Sequence, residues 1–100
     1  VRRFSDVVAA SHPALAGHFP GDPIVPGALL VARVVRAAAP LAGGPLCAVP
    51  VAKFHAPLRP GERFEIELEP EREATIAFRV LRGDVVLASG KLRFGERNAA

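Results

Sequence analysis

From Arg63 onward the chain alternates apolar and polar residues with a period of two. Phe64, Ile66 and Leu68 fall on one side of a strand over Arg63–Glu69, and Arg63, Glu65, Glu67 and Glu69 fall on the other. The same period predicts a strand over Ala74–Leu81, with Ile76, Phe78 and Val80 facing inward, and a last strand over Val85–Phe94. Pro70-Glu71-Arg72-Glu73 reads as the first turn between them and Gly83-Asp84 as a tight hairpin. Leu46–Pro57 predicts a strand broken or bulged near Pro50, since proline belongs on an edge or at a bulge. Arg59-Pro60-Gly61-Glu62 then turns the chain. Near the start, Arg2–Ala10 reads as a short strand that Ser11-His12-Pro13 breaks, because the residue before proline is pushed away from helix.

Between these strands the pattern differs. Ala14–Pro26 reads as a loop, and a helix opens at Pro26 or Gly27 and runs to about Ala39, where Pro40 stops it. Its only polar side chains are Arg33 and Arg36, three apart and so on one face; every other position is Ala, Val or Leu. A helix so apolar all round is expected to be buried, wrapped by the sheet. The order predicts an α+β domain with about five antiparallel strands around one central helix, the last four joined by short turns as a meander, spanning 1–100, with 95–100 a frayed tail. A five-stranded sheet on one helix leaves a long edge that invites a second copy.

Composition narrows the field. Half of the 100 residues are apolar, which excludes disorder, and Arg33 and Arg36 interrupt the longest apolar run before it reaches the roughly 18 residues of a membrane span. No long apolar core of a signal peptide follows Val1-Arg2-Arg3, and the missing initial methionine predicts a trimmed chain. Cys47 is alone, so no internal disulfide or cysteine metal cluster forms; this favours a reducing, cytoplasmic setting and leaves Cys47 as a small core residue. A net charge of +3 favours an acidic partner. The basic residues are scattered, however, and with six Phe but no Tyr or Trp, two Lys and one Asn, a nucleic-acid module is not expected.

The candidate chemistry lies before the helix. Gly17-His18-Phe19-Pro20-Gly21-Asp22-Pro23-Ile24-Val25-Pro26-Gly27 carries three prolines and three glycines, which hold a loop in one shape and bring one histidine to a helix start. Free N–H groups there can polarise a bound oxygen. His12 and His55 are other candidate proton carriers, but His12, in a turn before Pro13, reads as structural, and His55, on a strand between Phe54 and Ala56, as a surface or packing residue. Arg33 and Arg36 either snorkel to solvent or hold a phosphate or carboxylate.

His18-Phe19-Pro20-Gly21-x-Pro23-Ile24-x-Pro26-Gly27-x-Leu29 resembles the active-site signature of FabZ-type β-hydroxyacyl-acyl-carrier-protein dehydratases, which have the hotdog fold. Lys53–Phe64 looks like that family's next strand and turn, and Leu87-Ala88-Ser89-Gly90-Lys91-Leu92 resembles its final strand. In lacking the strand and short helix that usually precede the histidine region, the chain is more similar to the short homologues of aryl-polyene-type pathways.

The resemblance implies dehydration of a 3-hydroxyacyl thioester to a trans-2-enoyl thioester, without cofactor or metal. His18 would be the base and the Gly27 backbone N–H would polarise the thioester carbonyl. Phe19, Pro20, Gly21, Pro26, Leu30 and Arg33 would bind substrate. The implied partner is an acyl carrier protein with an acyl-phosphopantetheine arm, or acyl-CoA, and the implied assembly a homodimer or higher homo-oligomer. One position departs. The family's acid stands fourteen residues after the histidine, and here that residue is Ala32. No Asp or Glu occurs between Asp22 and Glu62, so Asp22 is the nearest acid, as proton donor or as a turn residue. The departure opens two alternatives: a protein that binds acyl carrier without dehydrating its cargo, or half of a heterodimer whose partner carries the acid. Thioester hydrolysis is a weaker third.

Overall fold

Alternation along the second half of the chain becomes a three-stranded meander, and the remaining strands attach to its two sides. The computed structural model describes residues 1–15 and 23–95, so His18, Phe19, Pro20, Gly21 and Asp22 lie outside the described residues. The described elements are β1 (Arg2–Val7), α1 (Gly27–Ala38), β2 (Leu46–Phe54), β3 (Arg63–Pro70), β4 (Thr75–Arg82) and β5 (Val85–Phe94). They form one antiparallel sheet in the order β1-β3-β4-β5-β2. The expected α+β class, with five strands and one central helix, is what the chain adopts.

Alternation decides which side of the sheet is covered. Phe64, Ile66 and Leu68 of β3, Ile76, Phe78 and Val80 of β4, and Leu92 and Phe94 of β5 are all buried. Against them α1 sets Leu30, Val34 and Ala38, spaced four apart and so on one stripe. The opposite face carries the charge. Glu67 lies between Arg3 of β1 and Arg79 of β4, accepting from Arg3 Nη2 and from Arg79 Nε at 2.9 Å. The hydrogen bond from Arg79, reinforced by Arg3, holds the Glu67 carboxyl below its ordinary value of 4.5 against the opposing effect of desolvation.

A carboxylate whose folded pKa is depressed contributes stability above its unfolded pKa and loses it as the pH falls through the folded one. The stability difference between wild type and Glu67→Gln is therefore expected to be constant at neutral pH and to shrink below about pH 4.5. Urea midpoints of both chains between pH 7 and pH 3 measure it; a gap independent of pH would contradict the assignment.

Four boundaries and placements differ from expectation. β1 stops at Val7 rather than Ala10. Val8 turns into the core, its carbonyl accepting from Gly61 N–H at 2.8 Å, and His12 N–H closes a turn on Ala9 O at 3.0 Å. β2 ends at Phe54, short of Pro57, because His55 and Ala56 both direct their N–H groups at Leu87 O, at 2.8 and 3.3 Å. β2 also does not continue the meander. It crosses to the far side of β5, with register shifts on both sides of Ala48 and Pro50 within the irregular stretch, as an edge strand tolerates.

The fourth difference is the helix. Ala28, Ala32 and Arg36 are exposed, so α1 is covered on one stripe rather than all round. A single sheet has only one face to offer a helix, and alanine on the far side is too small to be drawn under it. Pro40 does end the α-helix, which tightens into a 3-10 turn over Ala39–Leu41.

Candidate functional site

Where α1 begins, the chain forms a cavity of about 520 Å³. Ile24, Val25 and Pro26 lead along one wall into Gly27 and Leu30, and the facing wall is the stretch Phe54-His55-Ala56-Pro57-Leu58 that follows β2. Val25 N–H donates to Leu58 O at 2.8 Å and ties the walls together. Arg82 Nη1 donates to Pro57 O at 2.9 Å and steadies the far wall from β4. The lining is apolar except for His55.

The helix start is shaped for an acceptor. Pro26 is the N-cap, with φ −59° and ψ 142°; no side chain caps the helix and no acidic residue stands in its first turn. Leu29 and Leu30 both donate to Pro26 O at 3.1 Å. The N–H groups of Gly27 and Ala28 find no acceptor among the described residues. They are orphan donors at the positive end of the helix dipole, where an oxygen with developing negative charge is stabilised. Glycine at position 27 has a steric reason as well, since a Cβ there would come within 2.8 Å of Phe54 Cζ. The Phe54 ring thus lies directly against the first turn of the helix.

Of the residues the sequence singles out, Pro26, Gly27 and Leu30 meet in this cavity. Arg33 does not line it. Its Nη1 donates to Asp6 Oδ1 at 2.8 Å and to Val7 O at 3.3 Å, fastening α1 to β1. Arg36 is exposed on the outward stripe beside Ala32. Cys47, expected in the core, is exposed, because β2 is an edge strand. Among the described residues no three His, Cys, Asp or Glu side chains converge as a metal site, and no helix is long and apolar enough to cross a membrane.

Sequence reasoning missed the far wall. Phe54 stands twenty-seven residues from Gly27, and only the resemblance of the Lys53–Phe64 stretch marked that region at all. His55, expected at the surface or in packing, is exposed and its Nε2 lies 2.9 Å from Ser89 Oγ on β5.

The family model for ApeI dehydratase matches residues 3–91. The chain belongs to the ApeI-like dehydratase family. Among curated relatives of this ApeI-like chain, the 3-hydroxyacyl-acyl-carrier-protein dehydratase FabZ of Haemophilus influenzae is 32% identical, over 71% of this chain and 56% of its own length. The FabZ of Chlamydia trachomatis serovar L2 is 31% identical, over 87% of this chain and 67% of its own. The chain thus spans little more than half the length of the Haemophilus relative.

Among solved structures, the dehydratase heterocomplex ApeI:P from Xenorhabdus doucetiae superposes with a TM-score of 0.80 at 23% identity, over 91% of this chain and 83% of that one. The (R)-hydratase of A. caviae involved in PHA biosynthesis gives 0.67 at 19% identity, over 94% and 93%. At such identities these likenesses establish the hotdog fold.

Proposed function

We propose that this ApeI-like chain takes part in dehydrating a 3-hydroxyacyl thioester, carried on the phosphopantetheine arm of an acyl carrier protein or on CoA, to the trans-2-enoyl thioester. The observation that carries the reading is the pair of unpartnered N–H groups at Gly27 and Ala28 opening onto an apolar cavity. A thioester oxygen held there gains negative charge as the C2 proton leaves, and oriented donors at a helix start stabilise that charge. The cavity's apolar walls suit an acyl chain. By its place in the family motif, His18 is the base, and Phe19, Pro20 and Gly21 belong to the substrate loop, with Asp22 its one carboxylate.

A second reading makes the chain one member of a pair. Ala32 replaces the family's acid and is exposed on α1, and the edge strand β2 is exposed along almost its whole length. From Pro23 to Gly61 the chain carries Arg33, Arg36, Lys53 and Arg59 but no carboxylate. A partner that brings acidic groups complements this region better than a second copy, which would bring like charges together. The fold neighbour from Xenorhabdus doucetiae is itself a heterocomplex.

Purified chain given 3-hydroxyacyl thioesters of holo acyl carrier protein is expected to form the trans-2-enoyl product, followed by mass spectrometry. His18→Ala is expected to lower the rate by about 10²–10⁴. Absence of product at every chain length, both from the chain alone and from the chain co-purified with an acidic hotdog partner, would sink the dehydratase reading. Release of free acid in its place would assign thioester hydrolysis.

A further inference from the structure

We propose that Phe54 decides which acyl groups the cavity admits: its ring fills the space beside a thioester carbonyl held at the helix start, so acyl groups branched at C2 are refused. The inference rests on the thioester reading above and names the acyl class that the site takes. A Cβ on Gly27 would meet Phe54 Cζ at 2.8 Å, Cε1 at 2.9 Å and Cε2 at 3.2 Å. Those atoms are the tip of the ring, so the ring is aimed at the α-carbon whose own N–H is unpartnered. Strand register agrees. Phe54 pairs with Ala88, and Ala88 with Val80, both buried on the side of the sheet that α1 covers.

Neither backbone geometry nor core packing accounts for this seat. Gly27 lies in the helix without a positive φ, so its conformation does not call for glycine. Phe54 is 54% exposed and stands outside the buried core cluster, so burial does not hold the ring where it is. The missing Cβ and the ring are matched to each other, and both line the cavity.

A carbonyl oxygen accepting from Gly27 N–H would stand about 2.9 Å from that nitrogen. C1 is bonded to this oxygen and C2 to C1, so the acyl carbons nearest the ring are those next to the carbonyl. The far end of the chain runs on along aliphatic walls such as Leu30 and Leu58. A methyl group on C2 is therefore pressed against the ring, whereas extra length is not. Dehydration needs only one hydrogen on C2, and a 2-methyl substrate still carries one. Its rejection is steric, not chemical.

Butanoyl and 2-methylpropanoyl thioesters of pantetheine have the same atoms in a straight and a branched chain, and neither can be dehydrated. Their binding is measured by calorimetry on wild type, Phe54→Leu, Phe54→Ala, Gly27→Ala and the Gly27→Ala/Phe54→Ala double variant, with melting temperatures recorded for each. Wild type is expected to favour the straight chain at least about tenfold, and Phe54→Ala to bring the two within about threefold, with Phe54→Leu between them. The ratio of hexanoyl to butanoyl binding is expected to stay within about threefold in every Phe54 variant. Gly27→Ala is expected to lower the melting temperature in wild type but not in the Phe54→Ala background. An even ratio in wild type, or a ratio unchanged in Phe54→Ala, overturns the inference. A Gly27→Ala loss that persists without the ring overturns it as well. Turnover of 3-hydroxybutanoyl and 2-methyl-3-hydroxybutanoyl thioesters of holo acyl carrier protein separates the two readings. Selective binding without turnover supports this inference and counts against dehydration alone; turnover at equal kcat/KM for both overturns this inference alone. No binding of any thioester overturns both.

Discussion

Gly90→Ala is expected to destabilise the fold by about 3 kcal/mol or more, at the upper end of what overpacking costs. Gly90 sits in β5 opposite Phe78 of β4 on one side and Ala52 of β2 on the other. A Cβ added there would lie 2.1 Å from the Val51 carbonyl oxygen and 2.8 Å from two atoms of the Phe78 ring. The ring can turn away. The carbonyl belongs to the β2 backbone and moves only if the strand moves, so β2 must shift off β5. Domains of this kind hold a net of about 5–15 kcal/mol, and a loss of this size consumes a large share of it. Urea unfolding measures the loss directly. A Phe78→Leu change in the same chain is expected to restore little, because the main-chain clash remains. A midpoint within about 0.5 kcal/mol of wild type would show that β2 does not pack as described.

Val34→Glu and Ala32→Glu, two residues apart on α1, are expected to differ by several kcal/mol in their effect on folding. Val34 is 0% exposed at the centre of the stripe that meets the sheet. A carboxylate there has no partner and must either stay buried at high cost or pull the helix away. Ala32 points outward, and glutamate is a good helix former, so Ala32→Glu is expected to stay within about 0.5 kcal/mol of wild type. Thermal unfolding of the two variants under identical conditions decides it. Equal losses would mean that the helix is covered on both faces.

Local chemistry explains which features could be read without coordinates. Pro26 and Pro40 bracket the helix because proline acts on its immediate neighbours, and Phe64, Ile66, Leu68, Ile76, Phe78 and Val80 declare their face by period two. Features set by global arrangement stayed hidden. Nothing in Leu46–Phe54 says that this strand crosses to the far side of β5, which is why Cys47 was expected inside and lies at an edge. The alanines of α1 count as apolar in the pattern, yet their small area gives little drive to bury them, so Ala28 and Ala32 stay exposed. At the candidate site, Pro26, Gly27 and Leu30 were legible from one continuous motif. Phe54 comes from a segment twenty-seven residues away and meets Gly27 only through the fold.

The hydrogen bond from Val25 to Leu58 spans thirty-three residues of chain. The β4–β5 hairpin, by contrast, closes through a two-residue turn, and the β3–β4 connection is nearly as short. Contacts between neighbours in sequence form cheaply, while a long-range tie waits until the intervening chain has lost its freedom. The meander is thus suited to assemble first, with the cavity completed afterwards. The same ordering runs in reverse: opening the Val25–Leu58 tie frees the cavity walls while the meander stays paired, so the candidate site exchanges with solvent on a shorter timescale than the sheet that supports it.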